Sequence, residues 1–338
     1  MKCLHSLPGT LARPCRFASV LMLLAVGIDL TQTGRCNRSL PDNSPREWVS
    51  LHHWAKENDF KLIWSKEHEG LSLTNQTATL SVKADSLLAE INGVNVWLCD
   101  PISVRDGQPC VSSLDLQATI RPILFPQKNR AGTPLKTICL DPGHGGKDTG
   151  GASGKYLEKQ YTLSLAKALA GQLRAAGFKV LLTRTRDKFI ELEDRPAFAN
   201  QHWADLFISL HFNVNPRGQA SGVEVYCLTP AMTSSTNARG KLADKAPMPG
   251  NRHDARNILL AYQLQKSLVR KLSVEDRGLR RARFGVLCTA AMPAVLIEGG
   301  FLSDAGEQKK IADPKYRTRM AEAIVHGALA YKHALESL

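Results

Sequence analysis

From residue 136 onward the chain alternates short apolar runs with stretches carrying apolar residues at helical spacing, and this alternation constrains the fold most. "KTICLD" is followed by a helical pattern around 158–176, in which Leu165, Leu169 and Leu173 recur every fourth residue. "KVLLTR", a helix near 192–203, "DLFISLHFN", "GVEVYCL", a helix around 254–272, "PAVLIEGG" and a final helix over 314–335 continue the series. Strands alternating with helices predict an α/β fold, a mostly parallel sheet with helices on both faces. In such sheets ligands bind outside the carboxyl ends of the strands. Strand-end residues are therefore the place to look for chemistry.

The region before residue 126 has a different texture. Its runs are short and separated by turns: "FKLIWS", "LSLTN", "ATLSVKA", "PCVSSLDL". "NGVNVWL" predicts a tight Asn-Gly turn leading into an alternating strand. A length of 338 residues suggests roughly two domains. The reading is a small β-rich or α+β domain over 46–125, a polar Pro/Gly-containing linker over 126–135, and the α/β domain over 136–338. Ahead of them, Lys2, Arg13 and Arg16 precede "FASVLMLLAVGI", an apolar stretch of signal-peptide length. Residues 1–36 are read as a signal peptide or an uncleaved N-terminal anchor, which places the protein outside the cytoplasm, in the periplasm or cell envelope. Cys99 and Cys110 flank a turn-rich loop that a disulfide could close in an exported chain, a pairing the sequence leaves open. Cys139, Cys227 and Cys288 lie in apolar runs and read as small buried hydrophobes. No C-x-x-C pair suggests a cysteine zinc site.

Three strands of the α/β region end in residues foreign to a core. "TICLDPGH" ends at His144, among glycines that permit close backbone approach. "LFISLH" ends at His211 and "AVLIE" at Glu298. Glu158 opens the first helix a short loop after His144. Two histidines and a carboxylate form a common catalytic zinc set with a fourth position left for water. A second carboxylate can take that water's proton. His144, Glu158 and His211 as ligands with Glu298 as base therefore make a complete constellation. Each member has a plainer reading: a turn histidine, a helix-dipole carboxylate, a satisfied core histidine. Glu298 resists one, because a carboxylate directly after "AVLI" is costly to bury unpaired. Of the other histidines only His253, in "PGNRHDAR", is a reserve candidate. "GGASGKY" misses the P-loop spacing by one residue and has Tyr156 where Ser or Thr is required, so nucleotide binding is set aside.

The pieces "LDPGHGGKDTGGASG", "LEKQYTLSLAKAL", "GFKVLLTRTRD", "DRPAFAN", "ADLFISLHFN", "GVEVYCL" and "MPAVLIEGGFLSD" occur in one order over residues 136–335. In this the chain resembles the zinc-dependent N-acetylmuramoyl-L-alanine amidases that cut bacterial cell walls. The resemblance implies one zinc ion held by His144, Glu158 and His211, with Glu298 as the catalytic glutamate. It implies hydrolysis of the amide between N-acetylmuramic acid and L-alanine in peptidoglycan, and it leaves room for a protein activator. "INGVNVWLCDPISVRDGQPCVSSLDLQATIRPIL" loosely resembles the N-terminal domain of copper amine oxidases, which implies an accessory module without catalytic copper.

Two segments depart from the simplest members of that family. About fifty residues separate "GVEVYCLTP" from "RGLRRARF", and their polar first half reads as a mobile substrate-binding loop. Asn251, with Arg252 and His253, is expected to line the cleft, and Asn213 and Arg283 are further expected substrate contacts. The run Arg277, Arg280, Arg281 and Arg283 reads either as a solvated charge cluster or as an attractor of stem-peptide carboxylates.

The net charge is +13, and the leader accounts for only part of it. Such a surface suits an anionic partner, including an acidic wall. A nucleic-acid binder would explain the charge but not His144, His211 and Glu298, so peptidoglycan is the expected partner. Membrane contact is expected only through the N-terminal segment. The rival readings are another zinc peptidase or amidohydrolase of the wall, and a wall-binding protein without catalysis.

Overall fold

The computed structural model describes residues 47–64, 70–130, 134–216, 220–236 and 246–336. The leader expected over 1–36 lies outside them. Among the described residues no helix is long and apolar enough to cross a membrane.

The first part runs β1 (Trp48–Ser50), α1 (Leu51–Glu57), β2 (Lys61–Trp64), β3 (Gly70–Thr74), β4 (Thr79–Lys83), β5 (Leu88–Ile91), β6 (Val94–Trp97), β7 (Ser103–Arg105) and β8 (Gln108–Ser112). A helical stretch follows: α2 (Ser113–Asp115), a π-helical turn (Leu116–Ile120) and α3 (Arg121–Leu124). The predicted Asn-Gly turn joins β5 to β6, and Asn92 and Gly93 both take the positive φ that such a two-residue hairpin demands. The second part runs β9 (Thr137–Pro142), the short hairpin β10 (Ala152–Ser153) and β11 (Tyr156–Leu157), α4 (Glu158–Ala175), β12 (Lys179–Leu182), α5 (Asp194–Gln201), β13 (Leu206–Asn213) and β14 (Val223–Leu228). It ends with α6 (Asp254–Leu272), β15 (Asp276–Ala282), α7 (Gly285–Cys288), β16 (Ala294–Phe301), α8 (Ala305–Ala312) and α9 (Pro314–Glu336). The helices expected near 158–176, 192–203, 254–272 and 314–335 correspond to α4, α5, α6 and α9.

One eleven-stranded sheet crosses both parts in the order β12–β9–β13–β16–β14–β15–β6–β5–β4–β3–β2. Strands β12, β9, β13 and β16 are parallel, as expected of the βα alternation. Strand β14 then runs antiparallel to β16 and carries β15 and β6 in its own direction. The chain reading placed a separate small domain behind a linker; the structure pairs Leu279 of β15 with Val96 of β6 and makes the sheet continuous. Side chains lock this seam. Asn95 N–H donates to Asp276 Oδ2 at 2.8 Å, Asn95 Nδ2 to the Asp276 carbonyl at 2.9 Å, and Trp97 Nε1 to the Arg277 carbonyl at 3.0 Å. The segment read as a linker is strapped to the end of α9, where Leu135 N–H donates to Glu336 Oε1 and Asn129 N–H to the Leu335 carbonyl.

The two sheet faces have different fates. On one, Ile138, Leu140, Ile208, Leu210, Val225 and Ile297 pack against the buried stripes of α4, α6 and α9, and Leu73, Leu80, Ile91 and Val96 of the first part join the same core. On the other, Cys139, Phe207, Tyr226, Leu228 and Leu296 make a smaller core with Ala199 of α5 and Val286 of α7. The second part is thus covered on both faces.

Cys99 and Cys110, whose pairing the sequence left open, are both free thiols. The loop between them folds into the β7–β8 hairpin, whose register sets Cys110 opposite Ser103 instead. Cys99 turns inward, where burial and the neighbouring Asp115 carboxylate push its thiol pKa up. Cys110 Sγ–H donates to the Gln108 carbonyl.

Candidate metal centre

Strand β9 delivers the backbone to the sheet edge at Pro142, and the next two residues make the approach. A Cβ on Gly143 would lie 2.3 Å from the His211 ring, so only glycine lets the loop pass that close. His144 follows with a left-handed backbone, φ +60°. Two buried arginines hold this turn by its carbonyls. Arg184 Nε donates to the Pro142 carbonyl and its Nη2 to that of Gly143, both at 2.8 Å; Arg195 Nη2 donates to the His144 carbonyl at 3.1 Å. Asp141, fully buried, receives Arg195 Nη1, Thr183 Oγ1 and Ser209 Oγ. Neither the arginines nor Asp141 stood out in the sequence as site residues, although "DPGH", "TRTRD" and "DRPAFAN" contain them.

His144 and His211, at the ends of their strands, and Glu158, at the start of α4, come together. One ligating atom from each lies within 4.8 Å of the others. His144 Nδ1 donates to Asp148 Oδ2 at 2.8 Å, which leaves Nε2 facing Glu158 Oε2 at 3.1 Å. His211 Nδ1 lies 2.8 Å from Glu158 Oε1. The two rings meet edge to face, with centroids 4.8 Å apart. Asp148, four residues after His144, orients the imidazole as the outer carboxylate of a carboxylate–histidine pair does. Sequence reading missed it; the "HGGKD" spacing carried the signal.

Glu158 is 4% exposed at the first turn of α4. Its oxygens also accept from Gly151 N–H at 2.7 Å and Phe212 N–H at 3.1 Å. Burial alone would raise its pKa, but the two imidazoles hold the carboxyl well below its usual range. For His144 burial acts downward, and hydrogen bonds and charge from Glu158 and Asp148 overcome it and raise its pKa.

Glu298 lies beside the cluster because parallel pairing of β13 and β16 sets it opposite His211. Its Oε2 is buried with no hydrogen-bond partner among the described residues. Desolvation, then the charges of Glu158 and Glu224, push its pKa well up. Glu224 faces it across the antiparallel β14–β16 pair. Asn213 Nδ2 donates to Glu224 Oε1 at 2.9 Å, and Arg280 Nε approaches Glu224 Oε2 to 2.6 Å. Two imidazoles and the buried Glu158 carboxylate form a donor set suited to a divalent cation, and the orphaned Glu298 oxygen lies beside it.

The remaining expected contacts are distributed by the reversal of β14. Asn213 stays near the centre, with its amide committed to Glu224 and its Oδ1 to Val214 N–H. Asn251 and Arg283 are at the opposite edge of the sheet. Glu224 pairs with Glu298, whereas Leu228 pairs with Ala282, so Arg283 lies some five residues along, about 17 Å away at ~3.4 Å per residue. Asn251 closes its own loop there: Nδ2 donates to the Thr229 carbonyl and Asp254, and Oδ1 accepts Met248 N–H. The described ends of the 229–256 insertion leave from that far edge, not from the cleft, and Thr236 is bonded to the Arg281 backbone. Of the arginine run, Arg277 and Arg280 border Glu224, Arg281 is buried against the π-helical turn, and Arg283 caps the Pro230 carbonyl. His253 is also at the far edge, where burial lowers its pKa.

The chain matches the Amidase_3 family, described as N-acetylmuramoyl-L-alanine amidase, over residues 138–330. It is 30% identical over 256 residues to the N-acetylmuramoyl-L-alanine amidase LytC of Bacillus subtilis, covering 75% of this chain and 47% of that one. It is 31% identical over 234 residues to the amidase AmiA of Salmonella typhimurium, covering 62% and 80%. The chain therefore spans about half the length of LytC and most of AmiA. Among solved structures, an N-acetylmuramoyl-L-alanine amidase from Clostridium difficile 630 is 35% identical, with 59% of this chain and 97% of that chain covered and a TM-score of 0.49. The matched region contains His144, Glu158, His211 and Glu298 and makes up more than half of the sequence: the chain belongs to the N-acetylmuramoyl-L-alanine amidase family.

Proposed function

We propose that the protein hydrolyses the amide between the lactyl group of N-acetylmuramic acid and the L-alanine of the stem peptide in peptidoglycan. The observation that carries this reading is the convergence of His144, Glu158 and His211 beside Glu298 at one sheet edge. His144 Nε2, a Glu158 oxygen and His211 Nδ1 would hold one zinc ion. Bound there, zinc would polarise the scissile carbonyl and bring its water's pKa towards about 7.

The chain's own groups do the rest. Asp148 fixes the His144 ring so that Nε2 faces inward. Glu298 takes the proton of the attacking water and passes it to the leaving amine. Its raised proton affinity suits the uptake of that proton. Glu224, tied to Arg280 and Asn213, lies opposite Glu298 and adds to its pull on the water's proton. The basic, signal-like leader supports export to the cell envelope, where this substrate lies.

Purified sacculi digested with zinc-loaded and chelator-stripped protein test the reading. Mass spectrometry is expected to find stem peptides with a free L-alanine N-terminus, released only by the loaded protein. Cuts confined to the peptide would instead identify a wall peptidase, and binding without products a non-catalytic wall protein.

A further inference from the structure

The sheet face that carries Glu298 does not stop at the cleft. His211 on β13, Glu298 on β16, Glu224 on β14 and Arg280 on β15 share that face, and strand alternation places Trp97 and Asn95 of β6 on it as well. The Arg280 guanidinium links the two halves: it pairs with Glu224 and lies 4.4 Å over the Trp97 ring. Beyond Trp97, the covering by α5 and α7 has ended. In β3 to β6 the inward residues are buried, while every outward one is half-buried or exposed. The register aligns Asn95, Glu90, Ser81 and Ser72 in one row across four strands. The Ser72 and Ser81 hydroxyls are 3.0 Å apart within it.

We propose that this open face extends the catalytic cleft and holds the glycan strand of peptidoglycan next to the repeat unit being cut. The proposal rests on the amidase reading above, because that reaction takes place at an amide borne directly on a sugar, so the glycan must pass close to Glu298. Trp97 lies three strands from Glu298, about 14 Å, and Ser81 five strands away, about 24 Å, at ~4.8 Å per strand. Each step turns the sheet by roughly 20°, so the face leaves the cleft as a curved ramp. Its chemistry is that of a sugar surface: one aromatic ring at the cleft end, then hydroxyl, amide and carboxylate groups that pair with sugar hydroxyls. The exposed Glu90 in mid-row disfavours the carboxylate-bearing stem peptide and favours the glycan.

Two variants test this in a Glu298→Gln background, so that the polymer stays intact during binding. Glu90→Ala with Ser72→Ala and Ser81→Ala strips the row of its polar groups; Ser81→Glu adds a charge at its centre. Both change outward residues of the sheet, and if the triple variant melts early the single one decides. Co-sedimentation with purified sacculi is expected to weaken about tenfold for each. With Glu298 restored, hydrolysis of sacculi should fall about as much relative to hydrolysis of a soluble muramoyl-tripeptide, which is too short to reach β4. Sacculus binding within twofold of the parent's, or equal losses on both substrates, would overturn the proposal. If the parent cleaves neither substrate, the amidase reading fails instead, and co-sedimentation alone judges the ramp.

Discussion

Replacing Glu298 by glutamine separates its proposed chemistry from its cost to the fold. The amide keeps the shape of the side chain and removes its charge. Loss of a positioned general base costs typically 10²–10⁴-fold in rate, so hydrolysis should fall by about that factor while the His144–Glu158–His211 cluster still takes up zinc. Stability should move the other way. Folding raises the Glu298 pKa because its oxygen is buried and Glu158 and Glu224 crowd it with charge. An unfolded glutamate titrates near ~4.3. Below that value both states are protonated and the group contributes nothing. As pH rises through it, the unfolded state ionises first and the metal-free fold loses stability, up to the folded pKa. Each tenfold weakening of the acid in the fold costs ~1.4 kcal/mol once both states are ionised. Chelator-treated Glu298→Gln should therefore melt above the parent at pH 7 by a few degrees, taking about 2 °C per kcal/mol in a chain of this size, and level with it near pH 4. Zinc should narrow the gap, because a cation offsets the crowding. Calorimetric melts at the two pH values, with and without chelator, measure all of this. Retained hydrolysis in the variant, or a melting difference indifferent to pH, refutes the assignment.

Asp148→Asn weakens the acceptor that orients His144, and zinc affinity measured by chelator competition should drop about 10–100-fold. Gly150→Ala puts a Cβ 2.5 Å from His144 Cδ2 and 2.6 Å from Glu158 Oε2, on a residue with φ +66°. It should lose zinc binding while circular dichroism still reports a folded chain. Zinc affinity should also fall with pH over a higher range than for a free imidazole, because Glu158 and Asp148 raise the proton affinity of His144, and titration calorimetry across pH 5 to 8 reads it. Arg281→Met removes hydrogen bonds of 2.7 Å to the Ala118 carbonyl and 2.9 Å to Thr119 Oγ1, together with the cation nearest buried Asp115. A destabilisation of about 3 kcal/mol is expected from denaturant melts.

His144, His211 and Glu298 drew notice because each follows an apolar run, where a titratable side chain asks for a partner. Glu158, in the first turn of a helix, fits the helix dipole and gained weight only beside the other three. Asp148, Arg184 and Arg195 drew no such notice. Asp148 and Arg184 sit in polar loops and Arg195 in the first turn of α5, where aspartate and arginine are ordinary, and only the fold shows that their side chains converge on the 142–144 carbonyls and the His144 ring. Buried polar groups that support a site are hard to tell from solvated ones until the backbone groups they satisfy are known.

The misplaced residues share one cause, and it is a matter of strand direction. The βα alternation predicts a mostly parallel sheet but does not say which strand is the exception, and a parallel β14 would put the loop that follows it at the cleft edge. "GVEVYCL" has the same apolar character whichever way it runs, since a buried strand shows no signature of its direction. Once β14 is antiparallel to β16, the loop after Leu228 leaves from the opposite edge and takes Asn251 and Arg283 with it. The same reversal brings the amino end of β14 to the cleft, which is why Glu224 faces Glu298. It also sets β15, running with β14, as the sheet's next free edge, where β6 can add with its Asn95 and Trp97 clamped to Asp276 and Arg277. A single change of strand direction thus sets both described ends of the insertion away from the chemistry and joins the N-terminal strands to the face that carries it.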